Sequence, residues 1–320
     1  MLSRVADAIY WMCRYIERAE NVARFTDVNH NLMLDLPMAP EIQWEPLITV
    51  TGDQHVFRGR YPEATAATVI RFLTFDPDYP NSILSCLRAA RENARQVREI
   101  ISSEMWEQVN RLYLMVAEAS RGIEIADLSS RFFEQVKLGS HLFTGLTEVT
   151  MSHGEPWHFA RLGRLLERAD KTSRILDVKY YVLLPRVEYV NSPYDNIQWA
   201  ALLKSVSGLE MYRKQYHRIA PRQVARFLIF DPIFPRAIRY CLDTAEESLH
   251  AITGSAAGTF CNDAERRLGR LRSDFDYADI DEVIAEGMHE YLDGFQLRLN
   301  QVGTAISEAF FGGRHLCRSI

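Results

Sequence analysis

Apolar side chains recur along this chain at the three- and four-residue spacing of an amphipathic α-helix, in one segment after another. Stretches in which β-branched and polar residues alternate, as a β-strand would require, are scarce. The spacing predicts an all-α protein with two long helices, at 5–35 and 158–183, each followed by five further helical runs. These runs lie at 43–58, 65–74, 80–102, 104–121 and 129–151, and at 196–217, 221–229, 235–253, 259–274 and 279–311.

Two stretches of the sequence occur twice. Residues 14–28, RYIERAENVARFTDV, match residues 164–178, RLLERADKTSRILDV, at seven of fifteen positions and at an offset of 150. Residues 71–87 match residues 226–242 around the shared motif F-D-P-x-x-P, at an offset of 155. Both blocks keep their order along the chain, which indicates an internal duplication.

The architecture that we predict follows from these two blocks. The five additional residues of the second offset fall near 185–195, where proline and asparagine indicate a loop. The halves adjoin without a long linker, so we predict two tandem pseudo-symmetric helical repeats, 1–153 and 154–320, in one multi-helix, bundle-like body. In each repeat the aspartate of F-D-P-x-x-P, Asp76 or Asp231, is expected to cap the helix that follows.

The duplicated helix carries many charges on one side. Glu17, Glu20 and Arg24 project within roughly 60° of one another, and the second copy repeats the pattern. Ion pairs on a wet helix face would contribute only ~0.2–0.5 kcal/mol each. Two observations favour a partly buried cluster instead. The pattern E-R-A-[ED]-x-x-x-R is retained while apolar positions change, and the small residues Cys13 and Gly163 precede the E-R glutamates by four positions.

Three interpretations of this charged cluster stay open. Four carboxylates on facing helices are typical of di-metal sites in bundles, but the E-x-x-H partners are absent and the arginines oppose cation binding, so no metal is predicted. The arginines could instead hold a carboxylate or phosphate, or the cluster could be a ligand-free interlock between the halves. The acid–base candidates are Glu17 and Glu167; the anion-binding or interlock candidates are Arg14, Arg18, Glu20, Arg24, Arg164, Arg168, Asp170 and Arg174.

Composition and charge narrow the class of protein. Of the 320 residues, 47% are hydrophobic and 25% are charged, a profile typical of soluble globular proteins. The net charge of −5 gives no reason to expect nucleic acid as a partner. No segment reaches about 18 consecutive apolar residues, and the N-terminus lacks an apolar core of signal-peptide length. Five cysteines without a CxxC pair favour a reducing compartment, so we expect a cytoplasmic protein with no membrane partner.

The motifs of several common enzyme classes are absent from the sequence. There is no G-x-S-x-G, no Walker loop and no G-x-G-x-x-G after a strand, and the sequence indicates no cofactor. The nine histidines include no HExxH, and the closest pair, His153 and His158, flanks a Gly-Glu-Pro turn. Cys86 and Cys241, which are equivalent in the repeat, are expected to lie in the core.

The N-terminal motif M-L-S-R-V-A-D-x-I-Y-W-M-x-R-Y-I-E-R-A-E-N-x-A-R, together with F-D-P-x-x-P-x-S-I, resembles the bacterial alpha-E domain family. The resemblance covers the whole chain and places the family's E-R motif on Glu17 and Arg18, with an internal echo at Glu167 and Arg168. Members are typically encoded beside, or fused to, circularly permuted ATP-grasp and transglutaminase-like proteins. The resemblance therefore implies a part in ATP-dependent peptide or amide-bond synthesis or modification, with such a protein as partner.

Three functions are compatible with the sequence. The first is an auxiliary helical subunit that acts with an ATP-grasp-type peptide or amide ligase and binds the partner enzyme, a peptide or both. The second is an enzyme in which Glu17 or Glu167 acts as acid or base and Arg24 or Arg174 clamps an anion. The third is a structural scaffold, expected to be a homo-oligomer such as a homodimer. An open pocket beside the E-R helices would separate the second function from the third.

Overall fold

The computed structural model describes residues 1–35, 44–181 and 193–312. Within these ranges it contains fifteen α-helices and no β-strand, so the all-α prediction is confirmed. The helices of the first half are α1 (Ser3–Asp35), α2 (Glu45–Thr51), α3 (Gln54–Arg58), α4 (Ala66–Thr74), α5 (Ile83–Gln96), α6 (Ser103–Gly122) and α7 (Ser130–Thr150). Those of the second half are α8 (Glu155–Tyr181), α9 (Pro193–Ser205), α10 (Leu209–Tyr216), α11 (Pro221–Phe230), α12 (Ile238–Thr253), α13 (Asp263–Tyr277), α14 (Ile280–Glu286) and α15 (Met288–Phe310).

The two long helices α1 and α8 lie side by side and run in the same direction. Near their starts, the Met1 ammonium group donates to the Glu155 carboxylate at 3.0 Å. Further along, Gly163 packs against the backbone of Tyr10, where a Cβ atom would overlap the Tyr10 carbonyl oxygen. The close approach expected from the small residue at position 163 is therefore confirmed, and it brings the two charged stripes together.

Each central helix is flanked by helices of its own half. Helix α1 contacts α5 and α7, and α8 contacts α12 and α15. The duplicated F-D-P-x-x-P turn joins α4 to α5 in the first half and α11 to α12 in the second. The order of the helices corresponds to what a tandem duplication would produce, while the duplication itself stays a prediction.

Stacked aromatic rings hold both copies of the F-D-P-x-x-P turn. Phe72 and Tyr79 stack with their ring centroids 3.9 Å apart, and the corresponding Phe227 and Phe234 stack at 4.5 Å. All four rings are buried. Aromatic pairs of this kind contribute about 0.5–1.5 kcal/mol beyond their buried area, so the turn is a firmly packed part of each half.

Three of the predicted helices were wrong in extent, because each is divided by a residue with positive φ. The breaks fall at Gly52 (φ 76°), Ser207 (φ 51°) and Gly287 (φ 111°). A residue in the left-handed region ends a helix, but the apolar spacing continues across it. The divided runs are 43–58, 196–217 and 279–311.

The expected role of the two turn aspartates was also wrong. Asp76 Oδ1 accepts hydrogen bonds from the backbone N–H groups two and three residues further on, at 3.0 and 3.2 Å. Asp231 Oδ1 does the same at 2.9 and 2.8 Å. Both aspartates therefore close the turn itself, and helix α5 is capped by the side chain of Ser82.

The core residues that the repeat predicted lie where expected. Cys86 and Cys241 are both fully buried, at the corresponding positions of α5 and α12. None of the helices that the structure covers combines the length and apolar character needed to cross a bilayer.

Candidate functional site

The two E-R motifs exchange partners across the interface between α1 and α8. Arg18 binds Glu167 through two hydrogen bonds, from Nε to Oε1 at 2.7 Å and from Nη2 to Oε2 at 3.0 Å. Arg168 binds Glu17 in the same way, with both bonds at 2.8 Å. Such bidentate pairs are the strongest form of the arginine–carboxylate interaction. The glutamate of each half is thus neutralised by the arginine of the other half.

Glu20 is held in part by a residue from outside the duplicated helix. Arg236, which directly follows the second F-D-P-x-x-P turn, donates two bonds of 2.7 Å to Glu20 and one of 3.1 Å to Glu17. Arg24 also donates to Glu20 from one turn along α1. The ring of His141, on α7, lies 3.1 Å from the same carboxylate. Glu20 therefore meets two guanidinium groups and an imidazole.

Asp170 takes the place of Glu20 in α8 and is also shared by two cations. Arg174 Nε donates to its two oxygens at 2.9 and 3.0 Å from one helical turn away. Lys171 Nζ lies 2.8 Å from Asp170 and 3.6 Å from Glu167. Both Glu167 and Asp170 therefore have two or more cationic neighbours.

The carboxylates of α1 and those of α8 obtain their second cation from different elements. Beside α1 it is Arg236 of the turn before α12, and the helix position that corresponds to Lys171 is the neutral Asn21, which accepts from Arg236 at 3.1 Å. Beside α8 it is Lys171 of the helix itself, and the turn position that corresponds to Arg236 is the neutral Asn81. Asn81 Oδ1 accepts a bond of 2.5 Å from Arg18. The charge is preserved although its place in the sequence is not.

Arg14 and Arg164, which correspond in the repeat, behave differently. Arg14 joins the cluster, since its Nε donates to Glu167 at 2.9 Å and its Nη1 donates to the Tyr10 hydroxyl at 3.2 Å. Arg164 pairs instead with Glu148 of α7 at 2.9 Å. The structure thus brings nine of the ten predicted site residues together and places Arg164 apart from them.

The cluster is buried. The side chain of Glu167 has no exposed surface, and those of Glu20 and Arg18 are 1% and 4% exposed. Arg168 and Arg174, at its edge, are only 15% and 17% exposed. Charges can be buried in this way only when they are paired, and removing one partner of such a pair costs about 3–5 kcal/mol. The interpretation as a solvent-facing stripe is therefore excluded.

The cations keep the buried glutamates ionised. Burial by itself favours the neutral form of Glu17, but the charges of Arg168 and Arg236 outweigh burial and lower its pKa. The pKa values of Glu20 and Glu167 lie well below their usual range, because burial is again outweighed by the arginines on either side.

The same balance holds for Asp170, and it limits the chemistry of the cluster. Burial opposes ionisation, yet Arg174 and Lys171 lower the pKa of Asp170 to about 2. All four carboxylates are therefore ionised at neutral pH and occupied by N–H donors. A general base needs a pKa near the working pH and a lone pair directed at a substrate. This geometry argues against acid–base chemistry by Glu17 or Glu167 and favours the interlock.

The remaining interpretations of the cluster receive little support from its geometry. In the three ranges that the structure covers, no group of three or more His, Cys, Asp or Glu side chains could hold a metal ion. The arginines already face carboxylates, which would compete with an added anion. His153 and His158 each contact the ring of Trp157, with centroid separations of 4.2 and 4.9 Å, so the turn between them is packed around a tryptophan.

One groove reaches the edge of the cluster. It has a volume of about 490 Å³ and is lined by Arg18 and Asn81 together with Tyr15 and Pro77. Arg18 turns its Nε and Nη2 atoms away to Glu167. The groove therefore meets an arginine that is already paired. Its two carboxylates, Asp78 and Glu92, are also ion-paired with arginines.

Sequence reasoning missed five members of the cluster. Arg236 and Asn81 occupy one of the positions at which the two F-D-P-x-x-P blocks differ, and Asn21 and Lys171 differ beside a retained acidic residue. Both differences place an additional cation in the second repeat, and the sequence does not show which carboxylates these cations meet. His141 carried no signal, since nothing at its position is repeated.

Comparison with known proteins agrees with this description of the chain. The family model Alpha-E, described as a predicted alpha-helical domain with a conserved ER motif, matches residues 1–311. Uncharacterised proteins of Mycobacterium bovis and Mycobacterium tuberculosis are each 25% identical over an alignment of 340 positions that covers 97% of this chain. A sequence from a second Mycobacterium tuberculosis strain is 24% identical over the same length.

The chain spans about 37% of the length of these curated relatives. No solved structure matches. The ER motif of the family description is present here twice, at Glu17-Arg18 and at Glu167-Arg168. The match over nearly the whole chain shows that this protein belongs to the Alpha-E family.

Proposed function

We propose that this chain is an auxiliary helical subunit that acts with an ATP-grasp-type peptide or amide ligase and binds the partner enzyme, its peptide substrate or both. The observation that carries this proposal is the saturation of the buried cluster. Glu17 and Glu167 are ionised and held by the arginines of the opposite half. The cluster thus stabilises the packing of α1 on α8 and offers no acid or base for turnover.

The relatives support a role in partnership. Because this chain spans about 37% of their length, an Alpha-E segment is joined in those proteins to a much longer stretch of other sequence. Two sequences that are joined in one protein commonly act together when they are separate. The choice of an ATP-grasp partner, with a transglutaminase-like protein as a second partner to test, rests on the resemblance of the two sequence motifs.

The proposal is tested by co-purification. The tagged chain is mixed with the ATP-grasp protein encoded by the same genome, with and without ATP and a candidate peptide, and applied to a size-exclusion column. We expect the two proteins to elute together. Separate elution under all of these conditions would refute the proposal. Turnover by this chain alone that is lost in a stably folded Glu17→Gln variant would favour an enzyme instead.

A further inference from the structure

The first half contains a bound guanidinium group outside the buried cluster. Arg60 Nη1 lies 3.1 and 3.3 Å from the two oxygens of Asp76, and the Tyr61 hydroxyl donates to Asp76 Oδ2 at 3.2 Å. Arg60 Nη2 also donates to the carbonyl oxygen of Asp78 at 3.4 Å. The Asp76 carboxylate, the Asp78 carbonyl oxygen and, at 3.6 Å, the Asp78 carboxylate therefore hold one guanidinium on the outside of the F-D-P-x-x-P turn, while the Tyr61 hydroxyl bonds to Asp76.

The second half retains the turn aspartate, the tyrosine and the backbone carbonyl, but it lacks the arginine and the second carboxylate. At the offset of 155, Asp231 supplies the carboxylate, Tyr216 the hydroxyl and Ile233 the carbonyl, whereas Gln215 stands in the place of Arg60. Gln215 donates only a long bond of 3.4 Å to the Tyr216 hydroxyl. Asp231 is 7% exposed, and its Oδ1 closes the turn. Among the residues that the structure covers, none donates to Asp231 Oδ2.

Tyr216 is positioned by the same ring contacts as Tyr61. It stacks on Tyr212 with the centroids 4.9 Å apart and lies edge-on to Phe227 at 6.4 Å. The corresponding separations for Tyr61 are 5.1 and 6.0 Å. The hydroxyl group that bonds to the turn aspartate in the first half is therefore present in the second half as well.

A cavity of about 300 Å³ lies at this position and is lined by the aspartate, the tyrosine and the glutamine just described. Its other charged lining residues are Arg226, Arg239, Asp276 and Asp279. Arg239 is already bound to Asp276 at 2.9 Å. Arg272 also binds Asp276, and Asp279 caps helix α14. The cavity as a whole therefore has no excess of negative charge, and the oxygen that a further guanidinium would meet is Asp231 Oδ2.

The rim of this cavity is apolar and open to solvent. Ile233 is 81% exposed and Tyr277 is 89% exposed, and each adjoins a residue that lines the cavity. In the first half, the charged Asp78 occupies the position of Ile233. An arginine anchor surrounded by apolar and aromatic contacts is typical of the centre of a protein–protein interface.

We propose that this cavity, between α10, α11 and α13, binds an arginine side chain of a partner protein. The guanidinium group would lie on Asp231, beside the Tyr216 hydroxyl, as Arg60 lies on Asp76 in the first half. The inference rests on the comparison of the Asp231 site with the Asp76 site, and it goes beyond the proposed function. An arginine probe that binds although the ATP-grasp protein does not associate would refute only the proposed function.

The test uses N-acetyl-arginine methylamide as probe and the citrulline analogue, which has the same shape without the charge, as control. Binding to the purified chain is followed by ligand-observed NMR. We expect saturable binding of the arginine probe and at least about tenfold weaker binding of the citrulline analogue. Gln215→Arg, which supplies a guanidinium from the chain itself, should weaken probe binding by at least about tenfold. So should Asp231→Asn, which removes the charge but keeps the oxygen that closes the turn.

Arg60→Gln is the matched variant of the first half. It vacates the site on Asp76, so it should add a second binding site for the probe. A second readout is the melting temperature, which should rise in Gln215→Arg and fall back when Asp231→Asn is added. Equal binding of the two probes, no probe binding, unchanged binding in Gln215→Arg and Asp231→Asn, or a melting temperature that Gln215→Arg does not raise would each overturn the proposal.

Discussion

Replacing Glu167 by glutamine removes one negative charge at the point where the two halves are joined. The side chain is fully buried and accepts bonds from Arg14 Nε at 2.9 Å and from Arg18 Nε and Nη2 at 2.7 and 3.0 Å. Glutamine has nearly the same shape, but its amide nitrogen would face an arginine donor. Both arginines would also lose the charge that offsets their own burial.

The magnitude follows from these contacts. Hydrogen bonds to charged groups contribute about 1.5–3 kcal/mol each, and breaking a buried ion pair from one side costs about 3–5 kcal/mol. We therefore expect Glu167→Gln to lower the free energy of unfolding by about 3–5 kcal/mol. The reciprocal variant Glu17→Gln should lower it by a similar amount, because Glu17 is held by Arg168 and Arg236 in the same way.

Urea unfolding followed by circular dichroism measures this loss as a shift of the midpoint with an unchanged slope. The matched control is Glu148→Gln, since Glu148 also accepts from an arginine at 2.9 Å but is 37% exposed. That change should cost at most about 1 kcal/mol. If Glu17→Gln and Glu167→Gln cost no more than the control, the interlock is refuted.

Three further predictions concern acid stability, helix contact and thiol chemistry. Since the folded chain holds the pKa of Asp170 at about 2 against its ordinary 3.8, ionised Asp170 contributes about 2 kcal/mol above pH ~4 that is lost as the pH falls towards 2. The urea midpoint of unfolding, followed by circular dichroism, should therefore fall between pH ~4 and pH ~2, and a midpoint that does not change with pH would contradict this prediction. Gly163→Ala places a Cβ atom that overlaps the Tyr10 carbonyl oxygen, so it should destabilise the folded chain by about 1–3 kcal/mol in thermal melts. Gly145→Ala on α7 has nothing within 4 Å and should stabilise the folded chain by about 0.5–1 kcal/mol. Equal effects of the two changes would exclude a helix contact at position 163. Cys261 is exposed and should react with Ellman's reagent in the native protein. Burial raises the pKa of the buried thiols to about 12, so they should react only after unfolding, as peptide mapping would show. Early labelling of a buried thiol would contradict their placement. The buried thiols are Cys13, Cys86 and Cys241.

The long helices could be predicted because their apolar positions repeat over many turns, and a helix with one apolar face buries that face against the core. The breaks within shorter helices could not. Gly52 and Ser207 end their helices by a local change of φ that leaves the apolar spacing intact. Ser207 in particular has a side chain that ordinarily disfavours this conformation, and its hydroxyl accepts a bond from Arg24. That tertiary contact has no counterpart in the local sequence.

The members of the cluster were more accessible to sequence reasoning than their pairing. Retention of the charged positions in both copies, against a changing apolar face, pointed to nine residues that meet in the structure. Nothing in the spacing shows that Arg18 meets Glu167 rather than Glu17, its neighbour in the sequence. The saturation of the carboxylates, which argues against acid–base chemistry, depends on that pairing and on Arg236, which lies more than 200 residues from Glu17 and Glu20.

Differences between the two halves separate structural roles from interaction. Asn81 in the first half stands at the position of Arg236 in the second half and carries no charge. Lys171 supplies the missing cation to Asp170, so the buried carboxylates keep their charge balance. Where Arg60 becomes Gln215, no cation from the part of the chain that the structure covers binds the vacated oxygen of the turn aspartate, and a cavity with an apolar rim lies beside it. A buried charge without a partner is costly, so an internal site must be compensated from within the chain. Asp231 is 7% exposed but lines a cavity, and its Oδ1 keeps two backbone donors. Another molecule can therefore supply the missing donor to Oδ2, and this uncompensated difference marks the cavity at which we expect a partner to bind.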